Sequence, residues 1–97
     1  MFDFKFHKEA EKELGKLDKT IQNLFIKKLK QILANPEIGF DLGHRHNLNL
    51  SGLKKVYFDN KRYRIVYKVF ENELVIYLIS IGKRDNLDVY KKAVKRI

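Results

Sequence analysis

Cationic and aromatic side chains in the C-terminal half of the sequence are the ones whose types and spacing could carry chemistry. Lys55 and Arg64 fall within two predicted strands. Arg84 follows a third predicted strand, and Tyr90 belongs to a final predicted helix. Because Lys and Arg donate charged hydrogen bonds to phosphate oxygens, this set points to a phosphate-containing partner.

Arg64 and Tyr90 each have two roles open to them. Arg64 interrupts an otherwise apolar segment, residues 63–67, where a guanidinium is costly to bury unless it meets an acid or a polar groove. A structural ion pair and phosphate binding both satisfy that condition. Tyr90 shares one helical face with Ala93 and Ile97, so core packing is its ordinary role and stacking on a base is the alternative.

The motifs of most enzyme classes are absent from the sequence. It has no Cys, no G-x-S-x-G, no H-E-x-x-H, no Gly-rich phosphate loop and no cluster of carboxylates suited to a metal. His44 and His46 form a pair without a third ligand, so we interpret them as exposed loop residues rather than as a metal site. We therefore expect neither a metal nor another cofactor.

Positive charge is concentrated toward the C-terminus. The chain holds 21 Lys and Arg against 12 Asp and Glu, a formal charge of +9. Residues 1–53 contain nine basic and seven acidic side chains, whereas residues 54–97 contain twelve and five. This distribution favours a polyanionic partner bound by the C-terminal half. Nucleic acid is the first candidate, and an anionic membrane surface is the second.

Length and composition predict one domain and a cytoplasmic location. The 97 residues, 44% of them apolar, suffice for a single domain spanning residues 1–97. The first residues alternate apolar with polar, unlike a signal peptide, and the longest apolar run is far below the about 20 residues of a membrane helix. The absence of Cys suits a reducing compartment. We expect a soluble protein of the cytoplasm.

Changes in hydrophobic period divide the N-terminal half into a strand and two helices. Apolar residues at positions 2, 4 and 6 alternate with polar ones, as in a half-buried strand. From residue 8 the apolar period becomes three to four, which predicts a short helix. Asp18 can cap a second helix that stops before Pro36. Two helices joined so tightly predict an antiparallel hairpin.

The rest of the chain predicts three strands and a helix. Residues 36–52 lack a clear period, so we predict an irregular connection there. Segments 53–58, 63–70 and 74–81 are rich in Val, Ile, Tyr and Phe and are separated by short polar breaks, which predicts an antiparallel meander. Asn86 can cap a last helix.

Together these elements predict an α+β fold in the order β-α-α-β-β-β-α. We expect an antiparallel sheet of about four strands, packed on the N-terminal helical hairpin and followed by a short C-terminal helix.

Three features of the C-terminal half resemble the RelE branch of the RelE/ParE toxins. They are the Y-R-x-V-Y pattern at residues 63–67, the Gly-Lys-Arg at residues 82–84 after an apolar strand, and Tyr90 six residues after Arg84. Their combination is specific to the family, whereas any one of them alone is weak. The resemblance is densest over residues 50–97, and the length and element order of the first half agree with it.

The resemblance implies a RelE-like fold and the toxin of a type II toxin–antitoxin pair. Such toxins enter the ribosomal A site and cut messenger RNA by metal-free attack of the ribose 2′-OH on the scissile phosphate, which inhibits translation. The implied partners are a RelB-like antitoxin, expected to be acidic, together with the ribosome and messenger RNA. No membrane and no metal are implied.

The same resemblance implies a catalytic set and a surrounding RNA-binding set. Arg64 would hold the scissile phosphate, and Arg84 would act at the leaving 5′ oxygen. Tyr90 would stack on the substrate base or assist the 2′-OH, and Lys55 matches a family lysine on the preceding strand. The residues implied to bind RNA around them are Lys54, Tyr57, Lys61, Arg62 and Lys83.

Tyr57 stands where the family's well-studied member has a second lysine. Period two places Lys55 and Tyr57 on the same face of a strand, so we expect Tyr57 in the site. Nearby cations lower the pKa of Lys and of Tyr alike, so Lys55, Tyr57 and Tyr90 are all candidates for the general base.

Two other functions fit the same fold. One is a ParE-like inhibitor of DNA gyrase, which would not need the combination of Gly-Lys-Arg with Tyr90. The other is a catalytically weak module that binds nucleic acid or the antitoxin, an alternative kept open by Tyr57.

Overall fold

The computed structural model of the protein describes residues 1–45, 48–83 and 88–96. Helices and strands follow one another in the order β1 (Asp3–Phe6), α1 (Lys8–Gly15), α2 (Lys19–Ala34), a 3-10 turn (Pro36–Ile38), β2 (Phe40–Arg45), β3 (Leu48–Phe58), β4 (Tyr63–Phe70), β5 (Val75–Lys83) and α3 (Asp88–Arg96).

Within the described ranges, five strands form one sheet in the order β1-β5-β4-β3-β2. The pairs β2–β3, β3–β4 and β4–β5 are antiparallel, whereas β1 runs parallel to β5. The predicted α+β class is confirmed, and so is the meander, because β3, β4 and β5 follow one another through short turns. The first strand therefore joins the sheet beside the last one.

The stretch 36–52, predicted as an irregular connection, contains a strand instead. β2 lies within it, and β3 begins at Leu48 rather than at residue 53. Leu42 and Leu50 are buried here, but polar residues and glycines separate them, and a bulge in β2 shifts the register. Backbone pairing with β3 forms this edge strand without a clear apolar alternation, so the described sheet has one strand more than predicted.

The helical hairpin lies close to its predicted bounds. His7 caps α1, because its Nδ1 accepts a 3.0 Å hydrogen bond from a backbone N–H of the first turn. Asp18 occupies the N-cap position of α2 as predicted, but its carboxylate makes no capping hydrogen bond. Gln22 closes the hairpin instead, donating from Nε2 to the carbonyl oxygens of Leu14 and Leu17.

The helices are short, at eight, sixteen and nine residues for α1, α2 and α3. No helix in the described part of the chain is long and apolar enough to cross a membrane. The cap predicted for α3, Asn86, lies outside the described residues.

Two apolar clusters form the core, and neighbouring residues of β4 belong to different clusters. Ile65 and Tyr67 pack with residues of α1 and α2, whereas Val66 packs with Tyr90 and Ala93 of α3. Alternate residues of a strand face opposite sides of a sheet. The helical hairpin therefore covers one face of the sheet, and α3 covers the other.

Tyr67 ties the sheet to the 3-10 turn that follows α2. Its side chain is fully buried, and its hydroxyl donates a 2.7 Å hydrogen bond to the carbonyl oxygen of Pro36. Burial raises the pKa of Tyr67 to about 12, which keeps the hydroxyl protonated as a donor. Gly39 lies against the Tyr67 ring, where a Cβ would overlap the hydroxyl and ring atoms. This hydrogen bond therefore favours glycine after the turn.

Gly39→Ala is expected to lower the free energy of unfolding by about 1–3 kcal/mol, because the added methyl group must displace a buried ring. Gly15→Ala is the matched control, since a Cβ there meets no atom within 4 Å and alanine favours a helix over glycine. Urea unfolding followed by circular dichroism measures both variants. A wild-type midpoint for Gly39→Ala would contradict the close packing of the turn on Tyr67.

Candidate active site

Lys55, Tyr57 and Arg64 meet on the face of the sheet that α3 covers. Tyr57 and Arg64 are direct partners in the β3–β4 register, and Lys55 lies two residues before Tyr57 on the same side of β3. Both cations are buried, with 9% of Lys55 and 5% of Arg64 exposed, and Tyr57 is half-buried. The structure thus brings together two residues predicted as catalytic and one predicted to bind RNA.

A hydrogen bond joins Lys55 to Tyr57. Lys55 Nζ donates to Tyr57 Oη at 2.7 Å and lies 4.8 Å from the centre of the Tyr57 ring. This hydrogen bond lowers the pKa of Tyr57, burial opposes the shift, and Arg64 adds to it through hydrogen bonding and charge. The resulting pKa is about 8 instead of the ordinary 10.0. Tyr57 therefore ionises at mildly alkaline pH.

Arg64 lacks the acid partner that a structural ion pair requires. No Asp or Glu among the described residues forms a salt bridge with it, and its Nε and Nη1 are buried with no hydrogen-bond partner in that part of the chain. The central carbon of the guanidinium lies 4.2 Å from the centre of the Tyr90 ring and 5.7 Å from that of Tyr57. Cation–π contacts offset part of the cost of burial but leave N–H donors unused. Of the two roles open to Arg64, the structural ion pair does not occur among the described residues.

Tyr90 belongs to the core on the α3 face. It is 2% exposed and packs with Ala93, Val66 and Ile79. Core packing is therefore present, and the same ring covers Arg64. With so little exposed surface, the ring is not open to a base in this arrangement of α3.

The other predicted residues differ in their place relative to the cluster. Lys83, at the end of β5, is exposed, but it pairs with Tyr63 rather than with Arg64, so alternation places it on the opposite face of the sheet. Lys61 and Arg62 are exposed in the turn between β3 and β4. Arg84 lies outside the described residues.

Lys54 was predicted to bind RNA, but the structure does not bring it into the cluster. Alternation along β3 places it on the face opposite Lys55. Its Nζ donates a 2.8 Å hydrogen bond to Asp41 and lies 3.3 Å from Glu37, and the hydrogen bond to Asp41 raises the pKa of Lys54. A cation already paired with two carboxylates is poorly available to phosphate.

The structure describes one of the two histidines of the His44–His46 pair. His44 is exposed on β2, so the loop position predicted for it is wrong, and His46 lies outside the described residues. No group of three His, Cys, Asp or Glu side chains suited to a metal occurs in the described ranges.

A groove of about 570 Å³ opens beside Tyr57, between α2 and the β3–β4 turn. Lys27, Lys28 and Lys61 line it together with Phe40. Lys27 and Lys28 are absent from the predicted site, although two consecutive lysines outside the apolar stripe of α2 mark them in the sequence. The groove extends the positive surface from the cluster toward α2.

Known proteins of one toxin family resemble this chain along nearly its whole length. A family model described as the ParE toxin of the type II toxin–antitoxin system parDE matches residues 4–87. A putative RelE-like toxin protein of Escherichia coli is 38% identical over 99 residues, which cover 99% of this chain and 97% of the relative. The mRNA interferase toxin RelE of Escherichia coli strain K12 is 36% identical over 95 residues, which cover 95% and 93%.

Solved structures of the same toxin group share the fold. A double mutant of E. coli RelE in the free state superposes with a TM-score of 0.77 at 31% identity, covering 99% of this chain and 97% of that one. The same mutant in complex with an antitoxin RelBc peptide gives a TM-score of 0.70 at 34% identity, with 99% and 97% covered.

Arg64→Met is expected to raise the free energy of unfolding by about 1 kcal/mol, because it removes a buried charge without an acid partner in the described chain and retains the volume of the stem. Lys68→Met is the control on the same strand, since its half-buried side chain packs over Phe70. Urea unfolding at pH 7 measures both. A destabilised Arg64→Met protein would mean that the ring contacts of Arg64 outweigh the cost of its burial.

Proposed function

The chain belongs to the RelE/ParE superfamily of type II toxins, and we propose that it is an endoribonuclease that cuts messenger RNA in the A site of the ribosome. Relatives that align with almost the whole chain are named mRNA interferases. The observation that carries the proposed chemistry is a pair of buried cations beside a phenol of lowered pKa, with no acid bridging Arg64 among the described residues.

Lys55 and Arg64 supply the charge that cleavage of a phosphodiester requires. Attack of the ribose 2′-OH forms a new O–P bond and breaks the bond from phosphorus to the 5′ oxygen, leaving a cyclic phosphate and a free 5′-OH. One proton leaves the 2′ oxygen, and one is gained by the 5′ oxygen. The pentacoordinate intermediate carries more negative charge than the substrate, so preorganised cations stabilise it more than they stabilise the substrate.

Arg64 is assigned to the scissile phosphate because no acid in the described chain neutralises its guanidinium. Arg84 is assigned to the leaving 5′ oxygen on the family resemblance alone. Tyr90 is assigned to holding the Arg64 guanidinium in place, since its ring lies 4.2 Å away and is almost fully buried.

Tyr57 is the candidate that best fits the general base. Lys55 already donates a 2.7 Å hydrogen bond to Tyr57, and Tyr90 is buried against Arg64. Tyr57 is half-buried and has a pKa of about 8, close to the pH at which a base must work. The 2′-OH proton passes to the Tyr57 phenolate in this assignment, and Lys55 stabilises the phenolate beforehand.

Basic surface beside the cluster fits the flanking RNA strand. Lys61 and Arg62 lie in the β3–β4 turn, and the groove beyond Tyr57 adds the lysines of α2. Lys83, on the opposite face of the sheet, is assigned to RNA binding on the family resemblance alone. Such contacts attract the phosphate backbone without reading its sequence, and they weaken as salt rises.

An acidic antitoxin is the protein partner that the charge of this chain favours. The formal charge is +9, and complementary charge speeds association and excludes wrong partners. A RelE relative has been solved with an antitoxin peptide bound. The ribosome and messenger RNA are the other partners that the proposal requires.

The value of kcat/KM for cleavage on ribosomes, which reports the pKa of the free protein, is expected to rise between pH 7 and 9, with a midpoint near the Tyr57 pKa of about 8. The sign follows from the lowered pKa: the phenolate, which is the active form of the base, accumulates above about 8. Absorbance of tyrosinate near 295 nm should show one ionisation of the same midpoint in the free protein. Tyr57→Phe should abolish both. Cleavage by Tyr57→Phe at the wild-type rate would assign the base to another residue.

Primer extension on messenger RNA bound to ribosomes with an empty A site tests the activity itself. Wild-type protein should cut within the A-site codon, and Arg64→Met should cut about 10²–10³-fold more slowly, because it lacks the guanidinium at the phosphate. Lys68→Met is the matched control and should cut at the wild-type rate. Urea unfolding of the same samples verifies that each variant is folded.

Two results would contradict the proposed activity. In the first, folded wild-type protein leaves the A-site codon intact but blocks DNA supercoiling by gyrase, which would identify it as a gyrase inhibitor. Folded protein inactive in both assays would identify a module that binds nucleic acid or the antitoxin without cutting.

A further inference from the structure

Glu13 of α1 joins three elements through a single carboxylate. Its Oε1 accepts hydrogen bonds from the Ile81 N–H at 3.1 Å and from Arg96 Nη1 at 2.9 Å, and its Oε2 accepts one from Arg96 Nη2 at 2.9 Å. Lys92 Nζ lies 3.3 Å from the same Oε2. Arg96 Nη1 also donates to the carbonyl oxygen of Ile79 at 2.8 Å. These contacts, here termed the Glu13 clamp, link α1, β5 and α3 at one point.

The Glu13 clamp is largely shielded from water. The side chains of Glu13 and Arg96 are 15% and 11% exposed. Burial alone would raise the pKa of Glu13, but hydrogen bonds from Arg96 and from the Ile81 N–H outweigh it and hold the pKa below its ordinary value. The bidentate geometry distinguishes this pair from the exposed one between Glu9 and Lys12 on the same helix, at 3.6 Å.

Burial of apolar side chains also holds α3 on the sheet. The helix has nine residues, of which Tyr90 and Ala93 are buried and Val94 is partly buried. A helix of that length is not stable alone, and apolar burial is non-directional, so it permits the helix to slide or rotate over the sheet. The hydrogen bonds of the Glu13 clamp are directional and therefore anchor the C-terminal end of α3 at Arg96.

The position of α3 in turn decides where the Tyr90 ring lies. Tyr90 precedes Arg96 by six residues in one helix, about 9 Å along its axis, and its ring centre lies 4.2 Å from the Arg64 guanidinium carbon. On the other side, the Ile81 N–H bound by Glu13 belongs to the residue before Gly82, which pairs with Arg64. The helix over Arg64 and the strand beside it are both attached to Glu13.

We infer that Glu13 is a positioning residue of the proposed active site: through Arg96 its carboxylate holds Tyr90 over the Arg64 guanidinium. The catalytic consequence rests on the proposed function, whereas the geometry does not. Without the clamp, α3 remains attached by its apolar face but moves over the sheet, so the guanidinium is no longer held in one orientation toward a phosphate.

The side-chain Nε–H signal of Arg64 in a ¹⁵N NMR spectrum of the full chain tests the geometry. A proton over an aromatic ring face is shifted upfield, so this signal reports the Tyr90 ring, and its loss in Arg64→Met identifies it. Glu13→Gln removes the charge with little change of shape, and Arg96→Lys keeps the charge but loses the bidentate fork. Glu9→Gln, which removes a carboxylate from the exposed pair on α1, is the matched control.

Both clamp variants should move the Arg64 signal toward that of an exposed arginine, and Glu9→Gln should leave it in place. On ribosomes, kcat should fall about tenfold or more in the clamp variants, because a guanidinium that is displaced from its productive position stabilises the transition state less. KM should stay within about twofold, since the substrate contacts themselves remain. A purely structural role would lower the unfolding midpoint without moving the Arg64 signal of the folded protein.

Wild-type values of both the Arg64 signal and kcat in the clamp variants would overturn the inference. Faster cleavage would overturn it as well, because a helix whose release speeds the reaction obstructs the site. If the NMR spectrum shows that Glu13→Gln does not fold, the Arg64 signal and kcat of Arg96→Lys test the inference instead. A wild-type protein that never cleaves would refute the proposed function, and the NMR comparison would still decide the geometry.

Discussion

The burial of one guanidinium without an acid partner in the described chain is the constraint on which the rest of the site depends. Arg64 lies within the sheet, and water does not reach its Nε or Nη1. Neighbouring elements keep this guanidinium buried: Tyr57 lies opposite it in the strand register, and Tyr90 of α3 lies over it. The site is organised by packing rather than by ion pairing, so the positive charge of Arg64 is not neutralised by an acid of the described chain.

Acid–base chemistry and anion binding are coupled in this arrangement. Lys55 and Arg64 both lower the pKa of Tyr57, so an anion that neutralises either cation raises that pKa toward its ordinary value. A phenolate formed in the free protein thus becomes a stronger base once a phosphate is bound. Replacing a lysine by Tyr57 therefore need not remove the proton acceptor from the site.

The parts of the structure that follow from local patterns were predictable, and those that depend on distant pairing were not. The helical hairpin and the strands β3, β4 and β5 show clear apolar periods in the sequence. Because alternate residues of a strand share a face, the sequence also predicted that Lys55 and Tyr57 lie side by side. β2 carries no such period, because backbone pairing forms it. The Glu13 clamp could not be predicted from the sequence. Glu13 and Arg96 are 83 positions apart, and no pattern in either segment indicates that the two residues pair.

The separation of its parts along the chain also sets when this site becomes complete during synthesis. The pairing of β1 with β5 cannot form until β5 has been made, and the contact of Glu13 with Arg96 cannot form until residues 88–96 have been made and have emerged. A nascent chain at the stage of β4 carries Arg64 without the helix that covers it, and contacts of such long range close late in folding. The order of translation thus withholds the assembled site until residues 88–96 have left the ribosome that produces them, a particle of the kind that the proposed activity attacks.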